Sequence, residues 1–126
     1  MTIISIGIDI VEISRIKKIF FNFGDKFAKR ILSKYEWQEY ITSKNCIAFI
    51  SKRFSVKEAA SKALGMGINS GIQFNQLELY HNVYGKPEMR FFKHALAQYK
   101  KINCQYIHVS ITDEKKYAYS TVILEN

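Results

Sequence analysis

The chain has 126 residues, 48% of them hydrophobic and 14% aromatic, a size and composition that build one buried core and exclude an intrinsically disordered chain. No run approaches the ~20 apolar residues of a membrane span, and the N-terminus, interrupted by Asp9 and Glu12, does not read as a signal peptide. Nineteen basic residues against eleven acidic ones leave a net charge of +8, which favours a polyanion or an acidic protein surface as partner.

Residues 2–11 alternate, with Ile4, Ile6, Ile8 and Ile10 on one side and Ile3, Ser5, Gly7, Asp9 and Val11 on the other. This period of two predicts a strand whose isoleucine face packs inward. Asp9 then lies on the opposite face beside Gly7, where the missing side chain leaves room for another group. Residues 12–23 switch to helical spacing: Ile13, Ile16, Phe20 and Phe23 form an apolar stripe, Arg15, Lys18 and Asn22 turn away, and Gly24 is the stop signal. Asp25 is expected to cap a short helix through Leu32. Ser33 followed by Glu36 matches the capping box and opens a helix through about Ile41. Residues 15–34 carry seven cations against Asp25 alone, so the positive charge is concentrated there. On charge alone, a solvated helical face and a docking surface are equally good readings of that segment.

Asn45 is placed to cap a long helix running to Leu64, with Gly65 at its end. Ile47, Ile50, Phe54, Ala59, Ala60, Ala63 and Leu64 supply its core side, and Ser51, Ser55, Glu58 and Lys62 recur at spacings of four, three and four on one face. Two short strands, 75–81 and 87–92, follow, joined by a turn containing Gly85–Lys86–Pro87. A helix is expected over 92–101, and a hairpin of strands 106–113 and 117–124 ends the chain. In the first of these Ile107, Val109 and Ile111 alternate with His108, Ser110 and Thr112. The fold class is α+β: an N-terminal strand and a helical block, then antiparallel strands with one flanking helix.

Glu58 and Lys62 stand at i,i+4 in the orientation that favours a surface ion pair, worth ~0.3–0.5 kcal/mol. Ala59, Ala60, Ala63, Gly65 and Gly67 around them allow a close backbone approach that a solvated face does not need. Asp9 can cap the following helix, or it can join Glu58 in holding Mg²⁺, which takes few carboxylates together with waters and substrate phosphates. His108 can contact a phosphate or hydrogen-bond across the sheet, and Gly85–Lys86–Pro87 is first of all a turn. Cys46 and Cys104 are isolated and suit reduced thiols in a cytoplasmic protein. His81 and His94 show no metal-ligand spacing, and the signatures of zinc hydrolases, α/β-hydrolases, P-loop and dinucleotide-binding enzymes are missing.

Gly7–Ile8–Asp9–Ile10–Val11–Glu12–Ile13, with Arg15–Ile16 following, resembles the N-terminal signature of the holo-[acyl-carrier-protein] synthase family of 4′-phosphopantetheinyl transferases. Arg53–Phe54, Lys57–Glu58–Ala59 and Lys62–Ala63–Leu64–Gly65 resemble its second signature, and Gly85–Lys86–Pro87 a third. His108–Val109–Ser110–Ile111–Thr112–Asp113, then Tyr117–Ala118, resemble the last. The segments cover essentially the whole chain in the family's order. Ser5 departs from the pattern, standing where the family often has glycine.

The resemblance implies a single 4′-phosphopantetheinyl transferase domain over residues 1–126. Its activity moves 4′-phosphopantetheine from coenzyme A to a serine of apo acyl carrier protein, releasing adenosine 3′,5′-bisphosphate, in fatty acid biosynthesis. Asp9 and Glu58 match the family's metal-binding acids, Lys62 a lysine near the pyrophosphate, and these three carry the catalytic assignment. Coenzyme A contacts are assigned to Arg53, Lys62, Gly65, Lys86, Pro87, His108 and Thr112, and carrier contacts to Arg15, Lys18 and Lys26. The family's stand-alone members are homotrimers that bind coenzyme A in clefts between subunits. The acceptor serine must lose a proton, to Glu58 or to a metal-held water, and Lys62 can stabilise or protonate the leaving phosphate. No nucleic-acid or membrane partner is implied. The rival readings are a non-enzymatic basic module that binds nucleic acid through residues 15–34, and a regulatory protein that binds coenzyme A without turnover.

Overall fold

The computed structural model describes residues 1–68 and 71–126. Strand β1 (Ile3–Glu12) leads into three short helices, α1 (Ile13–Phe23), α2 (Asp25–Ile31) and α3 (Lys34–Tyr40), and then the long α4 (Cys46–Ala63). A 3₁₀ turn at Phe74–Gln76 precedes β2 (Leu77–His81) and β3 (Pro87–Phe91), followed by α5 (Lys93–Lys101), β4 (Tyr106–Asp113) and β5 (Tyr117–Glu125). The α+β class and the order of elements are those read from the sequence. Strand β5 lies between β1 and β4, antiparallel to both, while β2 and β3 pair in a separate hairpin.

The helix ends follow local chemistry. Ser33 Oγ accepts from the Glu36 amide at 3.2 Å and the Glu36 carboxylate accepts from the Ser33 amide at 2.9 Å, the complete capping box. Asn45 Oδ1 accepts from the Ala48 amide and starts α4. Gly65, at φ 75°, turns the chain at the other end, where its amide donates to the Lys62 carbonyl and the Met66 amide to the Ser61 carbonyl. Asp25 does not cap α2. It is the first helical residue, and its carboxylate accepts instead from the Tyr40 hydroxyl at 3.0 Å.

The inward face of β1 is the reverse of the expected one. Ile6, Ile8 and Ile10 are 60%, 64% and 53% exposed, whereas Gly7 and Val11 are buried against α4. Alternation shows that a strand has two faces but not which one meets the core. Here an alanine-rich helix decides. The Ala59 carbonyl lies so close to Gly7 that any Cβ there would overlap it, and Ser5 Oγ donates to the Ala63 carbonyl. Only the small-residue face allows that approach. Phe23 likewise leaves the expected core stripe of α1: it is exposed, and Ile16 alone of that helix is fully buried.

Helix α4 is enclosed nearly all round. Ala59, Ala60 and Ala63 pack with Val122, Leu124 and Leu77 in one cluster, and Ile50 joins Ile16, Ala28 and Ile31 in another. Its Ser51, Arg53, Ser55 and Lys57 are buried as well. Among the described residues no helix is long and apolar enough to cross a membrane.

Two glycines of the same region should therefore respond differently. Gly7→Ala drives a methyl into backbone that cannot rotate away and should cost roughly 3 kcal/mol or more. At Gly65 no atom lies within 4 Å of an added Cβ, so Gly65→Ala bears only the left-handed strain, about 1–2 kcal/mol. Thermal denaturation of the two variants checks the ordering.

Candidate active site

The chemistry gathers where β1 crosses α4. Asp9 projects from the helix-facing side of β1, opposite Ser120 of β5. Successive turns of α4 bring Ser55, Glu58 and Lys62 beneath it. Ser55 Oγ donates to the Asp9 carbonyl at 3.4 Å, and Lys62 Nζ donates to Asp9 Oδ1 at 3.2 Å and to the Ile8 carbonyl at 3.1 Å. Lys62 thus reaches across to the strand for its ion pair instead of back along its own helix to Glu58.

Glu58 is half-buried, and its pKa is raised above the ordinary glutamate value. Burial is the main cause and the neighbouring Asp9 carboxylate adds to it, while Lys62 and Arg15 pull the other way. Two carboxylates and two cations, contributed by β1, α4 and α1, are thus neighbours here. Two neighbouring acids, one of them partly desolvated, form a donor pair suited to a hard divalent cation. Among the described residues no cluster of three or more His, Cys, Asp or Glu is present, so the set does not resemble a closed zinc site. Mg²⁺, with its remaining positions taken by water and phosphate oxygens, fits this donor pair.

The other residues singled out in the sequence lie elsewhere in the chain. Arg53 is 5% exposed, its guanidinium stacked 3.6 Å from the Phe49 ring centroid and flanked by Glu36 at 3.7 Å and Glu39 at 3.5 Å. Its charge is directed into the protein, toward Glu36 and Glu39. Gly65 is exposed at the end of α4, three residues beyond Lys62. Lys86 and Pro87 belong to the β2–β3 hairpin, where Lys86 donates its amide to Asn82 Oδ1 as part of the turn. His108 and Thr112 stand on the outward face of β4, across the sheet from Asp9, and His108 Nε2 lies 3.0 Å from Glu125 Oε1. That outward face also holds Ile6, Ile8, Ile10 and Tyr119.

Arg15, Lys18 and Lys26 are exposed on α1 and α2. Beside them Phe23, Phe27, Phe54 and Phe74 wall a cavity of about 380 Å³ that Lys26 and Arg30 border. The aromatic rings of this basic segment close an apolar pocket and do not form a platform for stacked bases. Sequence reasoning did not single out this pocket. It also missed Lys57, whose ammonium is fully buried against Glu36. A signal existed: Ile50, Arg53, Lys57 and Ala60 recur at helical spacing, which puts two cations on a core stripe.

Fold and site together define a small α+β enzyme scaffold with a two-carboxylate, one-lysine centre. Residues 5–122 match the sequence model of the 4′-phosphopantetheinyl transferase superfamily, and the chain belongs to that superfamily. It is 62% identical over 126 residues to the holo-[acyl-carrier-protein] synthase of Buchnera aphidicola subsp. Acyrthosiphon pisum, with 100% of both chains covered. The fold matches the crystal structure of holo-[acyl-carrier-protein] synthase from Neisseria meningitidis with a TM-score of 0.91 at 32% identity, covering 99% of this chain and 100% of that one. It also matches the Helicobacter pylori holo-[acyl-carrier-protein] synthase, solved in complex with coenzyme A. There the TM-score is 0.82 and the identity 31%, over 95% of this chain and 99% of that one.

The raised Glu58 pKa has a signed consequence for stability. The folded state holds this proton more tightly than the unfolded chain does, so ionising Glu58 destabilises the fold as pH rises from the ordinary glutamate value through the raised one. In the absence of divalent cations, Glu58→Gln should therefore raise Tm by a few degrees at pH 7. Calorimetry at pH 4, where the carboxyl is largely protonated in both states, should find most of the gain gone.

Proposed function

We propose that the chain transfers the 4′-phosphopantetheine group of coenzyme A to a serine of an apo acyl carrier protein, giving the holo carrier and adenosine 3′,5′-bisphosphate, in cytoplasmic fatty acid biosynthesis. The observation that carries this reading is the meeting of Asp9, Glu58 and Lys62 in a chain of this superfamily. In the reaction the serine oxygen bonds to the phosphorus that bears pantetheine, and the pyrophosphate bond to the adenosine bisphosphate breaks. Coenzyme A is polyanionic, so the site must supply cations and exclude competing water. Asp9 and Glu58 would hold Mg²⁺, which would supply charge neutralisation for the pyrophosphate.

The protein groups act by position and charge. Lys62, exposed at its tip and anchored at Asp9, faces the leaving phosphate and balances the charge that develops there. Glu58, with its raised pKa, is suited to accept the serine proton directly or through a water. Gly65 leaves the helix end open for the pyrophosphate. Arg15, Lys18 and Lys26 attract the acidic carrier, and the phenylalanine cavity takes an apolar side chain of the carrier. The chain acts as one domain, assembled as a homotrimer. The exposed Ile6, Ile8 and Ile10, continuous with Tyr119, are an apolar face that a second copy covers. His108 and Thr112 share that face, so with Lys86 and Pro87 they complete a coenzyme A cleft shared between copies.

Incubation with coenzyme A, Mg²⁺ and apo carrier should raise the carrier mass by one phosphopantetheine. Asp9→Ala and Glu58→Ala should each lower kcat/KM by at least about 100-fold, with unchanged circular dichroism. A carrier that gains no mass while a competent control enzyme modifies it would sink the reading. Ile8→Lys, which puts a charge in the proposed shared face, should convert a trimer into monomers by sedimentation and lose transfer with it. Wild-type protein that sediments as a monomer while fully active would remove the shared-cleft proposal.

A further inference from the structure

Lys57 and Glu36 are fully buried, 0% exposed at both side chains. Lys57 Nζ donates to Glu36 Oε1 at 2.5 Å and to the carbonyl of Ile31, the last residue of α2, also at 2.5 Å. Glu36 Oε1 accepts in addition from the Ser33 amide at 2.9 Å, and Oε2 accepts from the Leu79 amide of β2 at 3.2 Å. Ser33 Oγ donates in turn to Glu78 at 2.6 Å. One ammonium on α4 thus ties the C-terminus of α2 directly, and the N-terminus of α3 and the middle of β2 through Glu36, to a single point.

A buried ammonium is costly unless its protons are matched, and an apolar side chain of similar length is often as stable in its place. Burial does lower the Lys57 pKa, with the Glu36 carboxylate working against it. What the charge adds over apolar packing is direction. Packing of Phe27 and Ile31 near Phe54 sets how far α2 lies from α4, but it is non-directional. The Lys57 hydrogen bond to the α2 terminus sets the register and agrees with the sign of the helix dipole there.

The positions of these helices give that register a use. Helix α2 is seven residues long and has no side-chain N-cap, so its placement depends on its neighbours. It carries Lys26 and Arg30 beside the phenylalanine cavity, and α4 presents Glu58 one residue after Lys57. We propose that Lys57 is a positioning residue that registers the carrier-docking helix α2 against the catalytic helix α4, so that its charge is needed for productive carrier engagement and not for coenzyme A binding. This inference rests on the transferase reading above.

The test is steady-state transfer by wild type, Lys57→Met and Glu36→Gln, each assayed well below its own Tm, with coenzyme A affinity measured separately by calorimetry. The expected result is a carrier KM raised at least tenfold in both variants, with kcat and coenzyme A affinity within threefold of wild type. A merely structural pair would lower Tm and leave the ratio of the two substrates' parameters unchanged, which overturns the proposal. A loss confined to kcat also overturns it, because Lys57 would then act on Glu58. If neither variant folds, the pair is a stability element and the proposal falls. Wild-type protein without any transfer would instead remove the underlying reading, so the two failures are distinguishable.

Discussion

The contact between the Gly7 backbone and the Ala59 carbonyl sets the separation of β1 from α4, and the site depends on that separation. A strand packed on a helix through leucines or isoleucines would stand several ångströms farther off. At this contact there is no side chain on the strand and only alanine on the helix. Asp9, two residues along the strand, then comes within reach of the side chains of α4. Ser55, Lys62 and the charge of Glu58 all meet it there. Ser5 repeats the same close approach one step earlier, through its bond to the Ala63 carbonyl.

Helix α4 distributes its charges in separate directions. Arg53 turns to Glu36, Glu39 and the Phe49 ring, Lys57 to Glu36 and the end of α2, and Glu58 and Lys62 to β1. The first two are desolvated and consolidate the helical block. The last pair stays accessible, with Glu58 half-buried and Lys62 exposed. Residues separated by a few positions on one helix thus serve opposite purposes, because positions within a turn of 3.6 residues face different neighbours. Glu58 illustrates the tension at such a site: its charge opposes folding at neutral pH, and the same charge is what a cation or a proton can use.

The sheet has two contrasting surfaces. One is covered by α4 and small or branched residues, with Val122 and Leu124 fully buried. The other leaves isoleucines and Tyr119 in water and carries His108 and Thr112. An apolar surface of that kind is unusual on an isolated small protein. In the proposed assembly of copies, that surface would bring together the groups that resemblance assigns to a single coenzyme A site.

The local order along the chain determined much of this by itself. The capping box at Ser33 and Glu36, the Asn45 cap, the Gly65 terminus and the alternation of β4 are written in neighbouring residues, because hydrogen bonds within one turn and side-chain periodicity depend on little else. Asp9, Glu58 and Lys62 are picked out differently, by the resemblance of their segments to family motifs in sequence order. Tertiary structure alone decided which face of β1 is buried, since alternation is symmetric until a helix of particular shape is laid against one side. It alone turned Arg53 and Lys57 inward and left Phe23 at a cavity mouth. Whether a charge is desolvated depends on elements 20 or more residues away, as between Lys57 and Glu36, and no local pattern encodes that distance.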